Sequence, residues 1–242
     1  MPASLAAIVL KLFQKPVCLV RSAYLGAHSR LLGGAYTCGP VGAQVALTFD
    51  DGPSESWTPE ILEIMEKHGA PATFFMIGEH VARFPDMARE VVARGHEPGL
   101  HLFTHERAVA DNDEFFRRQV VESVEQIEKA TGARPRFLRF PFAYLGRQKP
   151  ERILAEFGLH TVHWSFSSMD SRRDAAGIVR RVRRFLFPGA IVLLHDGVGG
   201  HSAHAKSRVE TVRALPAVLD ACTEMRLTPV SMSRMFSVGL KE

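Results

Sequence analysis

The sequence predicts an α/β protein built on a parallel sheet or barrel, and two observations carry that expectation. From residue 43 to 232, short apolar strand-like runs alternate with helix-patterned stretches, the arrangement expected of parallel α/β folds. The charged residues that stand out lie at the ends of the apolar runs, where such folds collect their chemistry.

The elements follow in order. "AQVALTF" (43–49) reads as a buried strand, and Thr58-Pro59 opens a helix that Gly69 stops, because proline suits a first helical turn and glycine an end. "ATFFMIG" (72–78) is the second strand, 84–95 a helix closed by Gly95, and "HEPGLHL" (96–102) a short third strand. A long helix spans 113–132, with Gly132 as its stop. "RFLRF" (136–140), "LHTVHW" (159–164) and "AIVLL" (190–194) are further strands, separated by helices near 150–157 and 174–187. A helix within 208–225 and a last strand, 227–232, complete about seven strand–helix units with no repeat or linker.

Of the 242 residues, 46% are hydrophobic and 23% charged. This is ordinary globular composition, with enough length for a sizeable core without disulfide staples. Cys18, Cys38 and Cys222 are widely spaced and form no CxxC pair, which fits a reducing compartment. A net charge of +4 is too small to point to nucleic acid. At the N-terminus, Lys11, Lys15 and Arg21 interrupt the apolar residues. No run reaches the ~18 residues a membrane span needs, and the charges follow the apolar stretch, the reverse of a secretory signal. The expected location is cytoplasmic, with residues 1–30 as a basic amphipathic candidate for peripheral membrane contact and secretion left open.

The strand ends carry complementary groups: Asp50 and Asp51, then His101 and His105, Arg139, Asp170, and His195 with Asp196. Two adjacent carboxylates repel unless a cation or different protonation states separate them. Histidines four apart share one face of a helical turn, so both imidazoles can reach one ion. A carboxylate from another strand end completes a two-His, one-Asp set, which leaves positions open for water or substrate.

"TFDDGP", "HLFTH", "RFPF", "SMD" and "LLHD" stand in this order over residues 43–235, and through them the chain resembles the polysaccharide deacetylases of carbohydrate esterase family 4, which share the NodB homology domain. The resemblance implies a distorted (β/α)7 barrel and a metal-dependent hydrolase that removes an N-acetyl group from an acetylated amino sugar. The substrate is expected to be an oligosaccharide, a lipid-linked sugar or a sugar-bearing natural product. It implies that Asp51, His101 and His105 hold a divalent metal, zinc foremost, with Co2+, Ni2+, Mn2+ or Fe2+ as alternatives. Asp50 would be the general base, oriented by Arg139, and His195 the general acid, paired with Asp170. Phe142 would offer its backbone N–H to the oxyanion, Leu193 would line the acetyl pocket, and Pro141 would belong to the substrate-binding set. The domain plan is an amphipathic, basic extension over 1–42, a catalytic domain over 43–235 and a tail over 236–242.

Three positions depart from the family pattern. Leu102 stands where a serine or threonine braces the metal loop, Ser171 where many members carry a pocket tryptophan, and Ser167 where aspartate is common. Two rival readings follow: a deformylase or cyclic-amide hydrolase on the same fold, and a carbohydrate-binding member without catalysis. No nucleic-acid partner is expected, and the sequence leaves the oligomeric state open.

Overall fold

The structure is a computed structural model that describes residues 35–40, 42–106, 112–143, 151–199 and 207–236. The chain runs β1 (Gln44–Asp50), α1 (Thr58–Lys67), β2 (Thr73–Met76), α2 (Gly78–Arg83), α3 (Pro85–Ala93), β3 (Glu97–Leu100) and α4 (Asp113–Thr131). It continues through β4 (Phe137–Leu138), a 3-10 turn (Pro141–Ala143), α5 (Glu151–Phe157), β5 (His160–Thr161), β6 (Phe166–Ser167), α6 (Ala175–Phe185) and β7 (Ile191–His195). The last elements are α7 (Val209–Glu224), β8 (Thr228–Pro229) and α8 (Met232–Phe236). Local chemistry sets several ends: Asn112 caps α4 by accepting from Phe115 N, and Gly132 closes it with a left-handed φ of 70°.

All strand pairs within the sheet are parallel, in the order β5-β4-β3-β2-β1-β7-β6, with β8 alongside the start of β1. This curled sheet with its helices is the expected distorted (β/α)7 barrel. Among the described residues the two ends of the sheet, β5 and β6, do not pair; residues 36–38 span the gap, Tyr36 bridging Val162 and Cys38 bridging Ala190. Residues 36–38 therefore belong to the barrel, although the sequence assigned them to the extension. Residues 1–34, including the candidate membrane contact over 1–30, lie outside the described residues. Among the described residues, no helix is long and apolar enough to cross a membrane.

The strands bury both faces, and alternate residues divide the work. Val45, Leu47, Phe49, Phe74, Met76, Leu138, Val192 and Leu194 pack under the helices. Ala46, Phe75, Phe137 and Ile191 face the barrel interior, where Met232, Met235 and Phe236 of α8 close one end. The alternation that turns Ala46 inward also turns Thr48 and Asp50 inward, and that of Ile191 turns Leu193 and His195. Register sets Asp50 directly beside His195. The interior is thus apolar at the bottom and charged at the C-terminal end of the strands.

Three elements differ from the sequence expectation. Strand β6 was missed because it is two residues long. Helix α2, six residues, was not expected, and its first residue, Gly78, was read as the end of a strand. The last strand stops at Pro229, and α8 takes residues 232–236, which places two methionines against the interior.

Candidate active site

Asp50, Asp51, His101, His105, Phe140, Phe142, Trp164, Ser171, Arg172, Leu193, His195, Gly199 and Arg208 line a cavity of about 240 Å³ at the C-terminal end of the sheet. Of the residues expected there, Arg139 and Asp170 lie buried behind the wall, and Pro141 begins the turn that carries Phe142 without lining the cavity.

Asp51 Oδ1 lies 3.4 Å from His101 Nε2 and 3.3 Å from His105 Nε2. The histidines reach this arrangement differently from the helical turn expected of their spacing. The segment is a loop after β3, turned by Leu102 at φ 64°. Leu102 itself is buried in the core. His101 Nδ1 lies 2.6 Å from the Arg139 carbonyl oxygen. A carbonyl only accepts, so Nδ1 carries a proton, and in the neutral ring the Nε2 lone pair faces Asp51. Asp51 Oδ1 is buried and accepts no hydrogen bond from the described residues. Lone pairs converging at a buried point call for a cation. Tetrahedral bonds of about 2.1 Å to zinc separate ligand atoms by about 3.4 Å, the spacing found from Asp51 to each histidine. The donor set therefore fits a divalent metal.

The surrounding charges favour positive charge at this point, supplied by a proton on His101 when no ion is bound. Burial raises the Asp51 pKa, but the nearby imidazoles of His101, His195 and His105 outweigh it and hold the carboxyl well below its usual range. Burial disfavours a charged His101, yet Asp50 and Asp51 overcome this and raise its pKa. Burial and the neighbouring His101 push His105 down to about 4, which keeps its ring neutral.

Asp50 is handled separately. Its Oδ1 accepts from Arg139 Nη1 at 2.6 Å. Arg139 Nη1 also donates to Thr48 Oγ1, and Nη2 to the His163 carbonyl at 3.0 Å. The guanidinium stacks over Phe75, its carbon 4.1 Å from the ring centroid. One residue therefore clamps Asp50 through its side chain and orients His101 through its carbonyl. Removing one member of a buried ion pair costs about 3–5 kcal/mol, so Arg139→Met is expected to lose that much stability in urea denaturation. A loss below ~1 kcal/mol would show that the guanidinium contributes little to Asp50's environment.

On the other wall, His195 Nδ1 donates to Asp170 Oδ1 at 2.8 Å. Asp170 Oδ2 accepts from His195 N and from Thr211 Oγ1, each at 2.9 Å. Burial disfavours a charged His195, but the Asp170 carboxylate reverses the effect and raises the imidazole to about 9. Asp196, next in sequence, does not line the cavity. It accepts from Thr58 Oγ1 at 2.7 Å and anchors the start of α1.

Sequence reasoning missed several contributors. Arg208 donates through Nε to the Gly197 carbonyl and lies 3.5 Å from Asp51 Oδ2 through Nη2. Trp164 lines the cavity, and Thr211 holds Asp170. Arg208 sits just before α7, and only that position, at the end of a loop leaving β7, hints at a role. The loop passes very close: a methyl on Gly197 would lie 1.9 Å from the Asp51 carbonyl oxygen. Four non-glycine residues with left-handed φ cluster here, Asp51 at 73°, Leu102 at 64°, Phe142 at 59° and Met169 at 60°. Each such residue costs about 1–2 kcal/mol, strain of the kind that gathers at functional sites.

Comparison with known proteins agrees with the geometry. Residues 40–162 match the family model described as "Polysaccharide deacetylase". A chitooligosaccharide deacetylase of Bradyrhizobium is 39% identical over 183 residues, covering 73% of this chain and 83% of that protein. A peptidoglycan-N-acetylglucosamine deacetylase of Bacillus cereus is 33% identical over 160 residues, 66% of this chain. That match spans only 58% of the Bacillus protein's length. A crystallised peptidoglycan N-acetylglucosamine deacetylase aligns with a TM-score of 0.76 and 29% identity, over 84% of this chain and 92% of that one. The chain belongs to the polysaccharide deacetylase family.

Proposed function

We propose that this chain is a metal-dependent deacetylase that hydrolyses the acetamide of an N-acetylglucosamine-containing glycan. The observation that carries the reading is the pair of buried acid–base assemblies, Asp50–Arg139 and His195–Asp170, on the walls of the cavity that holds the Asp51, His101 and His105 donors. The sugar comes from the relatives' substrates. Zinc suits two imidazoles and one carboxylate, and Co2+, Ni2+, Mn2+ or Fe2+ are alternatives.

A metal held by Asp51, His101 and His105 supplies a more acidic water and a polarised acetyl carbonyl. The protein residues do the rest. Asp50, with Oδ1 fixed by Arg139, takes the proton of the attacking water through Oδ2. The water oxygen bonds to the acyl carbon, and the C–N bond breaks. His195, whose Nδ1 is committed to Asp170, gives its Nε2 proton to the departing amine. Acetate and a free amino sugar result. The Phe142 N–H donates to the oxyanion, and Leu193, Trp164 and Phe140 form an apolar wall for the methyl group.

Acetate release from a panel of N-acetylated sugars, beside their N-formyl counterparts, tests the reading. Turnover of acetyl sugars supports it. Turnover confined to formyl or cyclic amides favours the rival hydrolase. A carbohydrate-binding protein without catalysis would turn over neither and has no use for the two assemblies.

The acid is testable by pH. His195 must be protonated to work, and its pKa is about 9, so amide hydrolysis should fall only as pH rises through about 9. Asp170→Asn removes the charge that raises this pKa. The alkaline limb should then move down toward the unperturbed histidine value of ~6.5. An unchanged limb in Asp170→Asn would show that His195 is not the group observed.

A further inference from the structure

The loop that carries both metal-site histidines is braced from outside every motif. Gln119, on α4, is 2% exposed. Its Oε1 accepts from Phe103 N at 3.1 Å, Thr104 N at 2.7 Å and Thr104 Oγ1 at 3.1 Å. These donors lie between His101 and His105. The loop's carbonyls are held elsewhere, Leu102 O by Gly78 N and Phe103 O by Glu79 N. Gln119 is therefore the acceptor for the N–H groups of Phe103 and Thr104.

The two histidines differ in what orients them. Nδ1 of His101 is fixed by the Arg139 carbonyl. Nδ1 of His105 is buried with no hydrogen-bond partner among the described residues. Metal-binding histidines almost always anchor their second nitrogen. At position 102, where a hydroxyl residue would brace the loop, the leucine points into the core. The ring of His105 packs against Phe142, 4.4 Å between centroids, and against Gly199, apolar contacts that leave its aim to the backbone of its loop.

We infer that Gln119 is a positioning residue for the metal site: its side-chain oxygen sets the backbone that aims His105 at the ion. This rests on the reading of Asp51, His101 and His105 as metal ligands. The role uses only an acceptor, so glutamate, the same length and able to accept the same three hydrogen bonds, should replace glutamine. Leucine fills a similar volume and accepts nothing.

The test is zinc affinity of the full chain, measured by competition with a chromophoric chelator, for the native protein, Gln119→Glu and Gln119→Leu. A brace lost at an outer position typically costs ~10–100-fold in metal affinity. Gln119→Leu should weaken zinc binding by about that factor, while Gln119→Glu stays within about threefold of native. With saturating zinc, Gln119→Leu should regain most of its kcat. A residue that merely fills space gives the opposite order, because leucine packs well and a buried carboxylate is disfavoured. Equal affinity in Gln119→Leu and native protein, or weaker binding in Gln119→Glu than in Gln119→Leu, overturns the inference. Should Gln119→Leu fail to fold, weakened binding in the folded Gln119→Glu overturns it equally. A native protein that binds no zinc overturns the metal reading itself, and the inference with it.

Discussion

Replacing Asp51 or His105 by alanine is expected to remove both the bound metal and nearly all amide hydrolysis. The site offers three protein donors whose atoms lie within 4.8 Å of one another, so losing one leaves two, too few for tight binding of zinc. A metal ion at such a site would supply several kcal/mol of transition-state stabilisation. A loss of ~5 kcal/mol corresponds to on the order of 10⁴-fold in kcat/KM. Metal analysis of the purified variants, alongside acetate release, checks this. Full stoichiometric metal in His105→Ala would remove that histidine from the ligand set. His105 is the more informative choice, because its Nδ1 makes no hydrogen bond among the described residues and its replacement therefore disturbs little besides the donor set.

Asp50→Asn should behave in the opposite way toward the metal. The amide is isosteric and can still accept from Arg139, but it cannot take a proton from water. Metal content should stay at the native level while turnover falls on the order of 10²–10⁴-fold. The separation matters because Asp50 and Asp51 are adjacent. The structure distinguishes them by partner: Asp51 faces two imidazoles within 3.4 Å, and Asp50 is bound to Arg139 at 2.6 Å. If Asp50→Asn loses metal while Asp51→Asn keeps it, the two roles are reversed.

The barrel was legible because buried parallel strands read as apolar runs. "AQVALTF" and "AIVLL" became β1 and β7, in register at Asp50 and His195. Each charged residue alone reads as a solvated turn or a structural histidine, and they were legible together because several strand ends deliver complementary groups to one rim. Strand β6 carries no such signal: two residues, Phe166 and Ser167, are too short for any period. The histidine pair was found for a reason that proved wrong. Spacing of four suggested a helix, whereas a left-handed Leu102 brings the two rings together in a loop. No pattern in the sequence assigns φ 64° to a leucine. Arg208, Thr211, Trp164 and Gln119 escaped because their roles depend on which helix or strand end lies against the site. Gln119 and Thr211 stand on helices whose sequences look like any amphipathic surface helix. Such residues become visible only when the barrel closes and shows where each side chain points.

The most direct measurement is acetate release from an N-acetylglucosamine oligosaccharide by the native chain, taken before chelation, after metal removal, and after zinc is restored. A metal-dependent deacetylase should release acetate, lose that activity with the metal, and recover it in proportion to zinc bound per chain. Undiminished acetate release by metal-free protein, or none from the fully zinc-loaded chain, would contradict it.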